Sequence, residues 1–91
     1  MDYTKRIIIP DTVFAQEIEG EVVLLDMASE NYFGLDAIGS EIWNLLKEGK
    51  TLQEAYDVLL EHYEVTPEKL KDDLEAFVSK LLATGLVSFA D

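Results

Sequence analysis

The sequence predicts an α+β domain in which a three-stranded antiparallel sheet comes before three helices. Two observations lead to this prediction. The first third of the chain holds three short segments rich in β-forming residues, separated by turn residues. From Asp36 onward the apolar residues recur about every 3.6 positions, which is the period of a helix. Strands segregated from helices along the chain are typical of α+β folds and not of parallel α/β sheets.

The predicted sheet follows an N-terminal arm, residues 1–12, and opens the single domain that we expect over residues 13–91. Glu19-Gly20 suits the first hairpin turn, because glycine readily takes the positive φ that such turns need. Three strands alone leave an apolar face open, so the helices should cover one side of the sheet. The strands are predicted over residues 13–18, 21–27 and 31–35.

The caps of the first two helices are visible in the sequence. Asp36 is a good N-cap for the first helix, and Gly49 suits the position just after its C-terminal end. Thr51 opens the second helix, and Glu54, three residues later, completes a capping box.

The third helix is predicted to start at Thr66-Pro67 and to stop at Gly85. Residues 86–89 form either a short closing strand or an extended tail. Each helix carries one apolar stripe, with Trp43 at the edge of the first. The stripes are Ile38, Ile42, Leu45 and Leu46; then Leu52, Ala55, Tyr56, Leu59 and Tyr63; then Leu70, Leu74, Phe77, Val78, Leu81 and Leu82.

Composition and charge exclude several functions. The net charge of −12 would repel phosphate backbones, so we expect no nucleic-acid partner and favour a peptide, a protein or a cationic ligand. No apolar run approaches the roughly 18 residues of a membrane span. Lys5-Arg6 precedes only three apolar residues, too few for a signal peptide. With no cysteine in the chain, these features indicate a cytoplasmic protein without membrane contact.

The sequence gives no sign of catalysis, and we expect neither a metal site nor a cofactor. His62 is the only histidine, and no cysteine exists to complete a zinc site with it. It is interpreted as a surface residue in the last turn of the second helix. Asp72 and Asp73 are adjacent on a helix, so their side chains point about 100° apart and suit a solvated face. The serines lie in no nucleophile elbow.

A binding function has more support. The third predicted strand has no charge between Asn31 and Leu35 and carries Tyr32 and Phe33, although edge strands are usually protected by charge or proline. An uncharged edge strand beside a helix forms a groove that can take an extended peptide by strand addition. The outer row of the third helix, Lys69, Asp73, Ala76 and Lys80, could line that groove. The alternative is that both aromatics are ordinary core and rim residues.

Residues 23–46 resemble the PqqD-like family, whose members are called precursor-peptide recognition elements. The pattern is a strand ending in Leu-Asp, then Tyr-Phe-Gly-Leu-Asp at 32–36, then Gly-x-x-Ile-Trp-x-Leu-Leu at 39–46. The Thr-Leu-x-Glu-Ala start at residue 51 and the Leu-Leu-Ala-Thr-Gly-Leu-Val end at 81–87 also match. The resemblance covers roughly residues 10–88. It implies a winged-helix-like fold of three strands and three helices.

The resemblance also implies a function without catalysis. The leader segment of a ribosomally made precursor peptide would add as an antiparallel strand in the groove between the third strand and the third helix. The domain would act in trans and deliver the leader to a separate modifying enzyme, either a leader peptidase of the lasso-peptide type or a radical-SAM maturase of the PQQ type. The expected peptide-binding residues are Asn31, Tyr32, Phe33, Gly34 and Leu35 on the strand, and Lys69, Asp73, Ala76, Phe77 and Lys80 on the helix.

Two other functions are alternatives that the same sequence allows. A structural or dimerisation module could use the same strand edge. A winged-helix nucleic-acid binder would share the fold, but its reading helix should be basic, whereas the third helix here is net acidic.

Overall fold

The structure, a computed structural model, describes residues 1–90 and confirms the predicted order of a three-stranded antiparallel sheet followed by three helices. Two further strands of two residues each lie at the ends of the chain. The elements are β1 (Ile7–Ile8), β2 (Val13–Ile18), β3 (Glu21–Asp26), β4 (Asn31–Gly34), α1 (Ala37–Lys47), α2 (Leu52–His62), α3 (Pro67–Ala83) and β5 (Ser88–Phe89). None of the helices in residues 1–90 is long and apolar enough to cross a membrane.

The three-stranded sheet has the order β2-β3-β4, so β3 is central and the other two strands are its edges. Glu19 and Gly20 both have positive φ, 53° and 84°, as the tight turn between β2 and β3 requires. Side chains alternate across the sheet. Val22 and Leu24 are buried on the inner face, which packs against the helices.

The helix caps form as the sequence predicts. The Asp36 carboxylate accepts the Gly39 N–H at 2.8 Å, and Thr51 and Glu54 form the reciprocal capping box. Thr66 accepts the Lys69 N–H, with Pro67 in the first turn. These side chains satisfy backbone donors that have no partner inside a helix.

One core cluster joins the inner sheet face to all three helices. Trp43, which we expected at the edge of the α1 stripe, is instead fully inside, 1% exposed. The N-terminal segment accounts for the difference, because Ile7 and Ile9 line the same hollow as Trp43 and Leu46. A helix covered from more than one side needs a wider apolar arc than a single stripe.

The N-terminal segment, predicted as an arm, is attached to the domain along its length. β1 pairs with β5 in a small antiparallel sheet, so residues 86–89 end in a closing strand and not in an extended tail. The carbonyl oxygens of Tyr3 and Lys5 accept the N–H groups of Gln53 and Leu52, at 2.9 Å and 3.1 Å. These are donors at the start of α2 that the helix itself cannot satisfy.

Glu41 links α1 to the end of α2. Its carboxylate lies 2.6 Å from His62 Nδ1 and accepts the Tyr63 hydroxyl at 2.5 Å. The hydrogen bond from Tyr63, then the one from His62, holds the pKa of Glu41 below its usual value of 4.5. A carboxyl group with a lowered pKa stabilises the fold above its unfolded-state pKa, and that contribution disappears as the pH falls through the folded-state pKa.

Glu41→Gln tests this link. The amide can still accept the Tyr63 hydroxyl, so the change removes mainly the charge. We expect a loss of up to about 1 kcal/mol in the free energy of unfolding at neutral pH, because hydrogen bonds to charged groups are stronger than neutral ones. The difference from wild type should shrink in urea unfolding as the pH falls from 4.5, the usual pKa of a glutamate, through the lowered folded-state pKa of Glu41.

Glu61→Gln is the matched control, since Glu61 is an exposed carboxylate in the last turn of α2 that makes no side-chain hydrogen bond within residues 1–90. A stability difference for Glu41→Gln that stays constant across the pH range would contradict the role given to the Glu41 charge.

Candidate functional site

β4 is an edge strand without charged side chains. Its inner side chains, Phe33 and Leu35, are partly buried and pack against the core. Phe33 is opposite the fully buried Leu24, and Leu35 continues the register opposite Val22. Tyr32 points to the other face of the sheet and is 75% exposed. The opposite edge, β2, carries Glu17 and continues into Glu19, and such charges protect an edge from pairing. Of the two edges, β4 is therefore the one open to another strand.

The backbone alternation identifies the free groups of β4. Leu35 donates its N–H to the Val22 carbonyl at 2.8 Å, so Leu35 faces β3. In antiparallel pairing every second residue faces the partner strand. Phe33 and Asn31 therefore face β3 as well, and the N–H and C=O groups of Tyr32 and Gly34 point away from it. These outward groups are what an added strand would pair with.

The junction between β4 and α1 is fixed by Ser40, which is buried. Its hydroxyl accepts the Val22 N–H at 2.9 Å and donates to the Leu35 carbonyl at 3.4 Å. At the same turn, a Cβ on Gly39 would lie 3.0 Å from the Asp36 carboxylate and 3.3 Å from the Phe77 ring. The missing side chain therefore lets α1 approach Phe77 of α3 closely.

A groove runs between β4 and α3. Its larger part is a hollow of about 430 Å³, within the range of small-ligand pockets. The apolar floor comes from both sides of the groove and from the residues after α3. The lining residues are Tyr32, Phe33, Gly34, Leu35, Asp36, Phe77, Lys80, Leu81, Thr84 and Leu86.

A second hollow of about 280 Å³ lies on the other side of Phe77, between α1 and α3. Phe77 and Asp36 line both hollows, so the half-buried Phe77 ring forms a ridge between them. Ala76 and Asp73 form the α3 side of this second hollow. Its lining residues are Asp36, Ile38, Gly39, Ile42, Asp73, Ala76 and Phe77.

The groove brings together eight of the ten residues named from the sequence. Asn31 and Lys69 line neither hollow. Lys69 instead donates to the Asp73 carboxylate at 3.0 Å on the exposed side of α3. Sequence reasoning did not place the following residues in the groove: Asp36, Ile38, Gly39, Ile42, Leu81, Thr84 and Leu86. Asp36 to Ile42 belong to the β4–α1 junction, and the matching family pattern already ran through it.

The charges of the groove differ between its two ends. Lys80 is an exposed cation beside the larger hollow and makes no ion pair within residues 1–90. Asp73 lines only the smaller hollow and is paired with Lys69, whereas Asp36 lines both hollows. The groove therefore presents a cation only at the larger hollow, whereas carboxylates lie beside both hollows.

The described part of the chain, residues 1–90, holds no cluster of three or more His, Asp or Glu residues arranged for a metal ion. His62 is exposed in the last turn of α2, where the sequence placed it, and pairs with Glu41. Neither residue lines the groove. The geometry of the groove suits binding of an extended chain.

Comparison with known proteins agrees with this geometry. The chain matches the model of the family described as coenzyme PQQ synthesis protein D (PqqD) over residues 21–87. That range includes β3, β4, all three helices and every residue lining the groove. No curated protein sequence is significantly similar to the chain.

Two solved structures are similar to this one. TbiB1, solved in complex with the TbiA(beta) leader peptide, is 41% identical with a TM-score of 0.85, and the match covers 92% of this chain and 99% of that one. Lasso peptide synthetase B1, solved in complex with the leader peptide, is 23% identical with a TM-score of 0.83, covering 91% and 98% of the two chains. At that identity the second likeness supports the fold alone.

Proposed function

The chain belongs to the PqqD family, and on that premise we propose that it binds the leader segment of a ribosomally made precursor peptide and delivers it to a modifying enzyme. The leader adds to β4 as an antiparallel strand. The observation that carries the proposal is the uncharged β4 edge facing α3 across a hollow of about 430 Å³. TbiB1, 41% identical, is bound to a leader peptide in its own structure and supports the same role here.

Each side of the groove has its own role in this proposal. The outward backbone groups of Tyr32 and Gly34 pair with the leader and demand little of its sequence. Phe33, Leu35 and Phe77 take its apolar side chains. Those anchors supply most of the affinity, because an exposed ion pair contributes only about 0–1 kcal/mol.

The charged residues select the leader by its polar side chains. Lys80 pairs with a leader carboxylate beside the larger hollow, and Asp73 with a leader cation beside the smaller one. Asn31 and Lys69 remain in the proposed site at its margins, where Lys69 orients Asp73 through their 3.0 Å contact.

The domain works as a tether and needs no catalytic group. Binding the leader raises the local concentration of the rest of the precursor at the enzyme, which performs the chemistry. The enzyme is a separate protein, either a leader peptidase or a radical-SAM maturase.

A proline on the β4 edge tests strand addition. Gly34→Pro removes an outward N–H and places a ring in the path of the added strand, while a Cβ at this position meets nothing within 4 Å. We expect leader affinity, measured by fluorescence anisotropy with a labelled leader peptide from the same gene cluster, to fall by about tenfold or more. The melting temperature should change little, because β3 loses no hydrogen bond.

Glu17→Pro is the matched control on the opposite edge. The Met27 N–H bonds the Thr12 carbonyl, so by the same alternation the Glu17 N–H points away from β3. This variant should bind the leader as wild type does. Equal losses in both variants, or none in Gly34→Pro, would rule out addition at β4.

Phe77→Ala tests the helix side of the groove. The ring is half-buried, so its loss should cost less than the about 3–5 kcal/mol of a fully buried phenylalanine. Leader affinity should fall by about tenfold, as for an interface anchor. Leu82→Ala is the control, because Leu82 is a half-buried residue of α3 that lines neither hollow. Titration calorimetry in which the two variants bind the leader equally well would move the site away from Phe77.

A further inference from the structure

The outer face of the three-stranded sheet is apolar and uncovered. We define this face by Phe14, Ile18, Leu25 and Tyr32. Phe14 is opposite Leu25, and Leu25 is opposite Tyr32, so these three side chains form one row across all three strands. Within residues 1–90, four of the seven exposed large hydrophobic side chains lie on this face. Such a concentration marks an interaction site, whereas scattered exposed hydrophobics need no explanation.

The charges around the outer face select the kind of partner. The chain has no Lys or Arg between residues 7 and 46, a stretch that contains the whole sheet. Glu21 is exposed on the face itself, and the exposed Glu19 and Glu30 lie in the two turns that adjoin it. A second copy docked face to face would bring two such acidic surfaces together. A complementary partner has an apolar patch ringed by Lys and Arg.

The outer face is continuous with the groove. Tyr32 ends the row of aromatic and aliphatic side chains and also lines the larger hollow. A leader strand paired with β4 would be the next strand of the same sheet, and alternate side chains of it would extend the outer face beyond Tyr32. A protein docked on this face therefore meets the domain and the bound leader side by side.

We propose that the outer face is the docking surface for the modifying enzyme, whose contact surface is an apolar patch ringed by basic residues. The proposal rests on the proposed leader-binding function. The groove holds the leader from the side of α3, and the outer face remains free while the leader is bound. One small sheet thus binds the substrate by its edge and the enzyme by its face.

Paired substitutions test the docking surface. Ile18→Thr and Ile8→Thr make the same change at nearly equal exposure, 51% and 48%, but Ile8 lies in β1, away from the outer face. Phe14→Thr removes the aromatic end of the row and keeps a β-forming residue. Affinity for the purified modifying enzyme from the same gene cluster is measured by biolayer interferometry with saturating leader. Leader affinity is measured separately by fluorescence anisotropy.

We expect Phe14→Thr and Ile18→Thr each to weaken enzyme binding by about tenfold, the effect of losing one interface anchor, and to leave leader affinity unchanged. Ile8→Thr should alter neither. Glu21→Lys, an exposed charge reversal on the same face, should also weaken enzyme binding, and more so at low salt. Because this variant keeps the apolar row, it still tests the docking surface if a threonine variant fails to fold.

Wild-type enzyme affinity in all three outer-face variants would overturn the proposal. A wild-type dimer in sedimentation that Phe14→Thr dissociates would also overturn the proposal, because the outer face would then bind a second copy of the chain. Absence of leader binding by the wild-type protein would instead refute the proposed function. The fluorescence anisotropy measurement detects that result independently of enzyme binding.

Discussion

The arrangement of the site depends on the buried hydroxyl of Ser40. Val22 and Leu35 would ordinarily exchange two backbone hydrogen bonds, but only the Leu35 N–H reaches the Val22 carbonyl directly. The hydroxyl takes the other N–H and reaches the Leu35 carbonyl, so β4 separates from β3 at this point without leaving a buried donor unpaired. Asp36 then caps α1 in the same turn. The separation sets the direction of α1, brings Gly39 against Phe77, and leaves the groove open between β4 and α3.

The two edges and the outer face of one small sheet serve different purposes because their charges differ. β2 carries Glu17 and continues into Glu19, and these charges discourage pairing, whereas β4 has no charge between Asn31 and Leu35. The α3 side of the groove supplies Lys80, one of few cations near the sheet. Since the sheet segment itself has no basic residue, electrostatic attraction steers basic protein surfaces toward the sheet. The specific contacts with the peptide depend instead on backbone pairing and apolar anchors.

Much of this structure is readable from local sequence. The caps at Asp36, Thr51 and Thr66 and the change of period from two to 3.6 predicted the helices, and the uncharged stretch from Asn31 to Leu35 predicted the open edge. Each of these signals involves neighbours in the chain. The two-residue strand β1 was not predicted, and residues 86–89 were left open between a closing strand and an extended tail, because β1 and β5 are about 80 residues apart and strand patterns need four or more residues.

The groove residues that the sequence did not identify enter the groove through contacts between parts of the chain that are far apart in sequence. Thr84 and Leu86 reach the larger hollow only because Gly85 takes a φ of 77° and turns the chain back after α3. The backbone groups of Tyr32 and Gly34 point outward because Leu35 donates its N–H to the Val22 carbonyl. The sequence of β4 alone does not show which alternate residues face β3. Pattern reasoning locates a binding strand, whereas the choice of its free backbone groups requires the pairing.

In the proposed function the leader adds to the outward backbone groups of β4. Amide hydrogen exchange, followed by NMR on the labelled protein with and without its leader peptide, measures those groups directly. We expect the leader to slow exchange of the Tyr32 and Gly34 amides most, while the outward Glu17 amide of β2 exchanges as before. Unchanged exchange at Tyr32 and Gly34 under saturating leader, or new protection confined to β2, would contradict strand addition at β4.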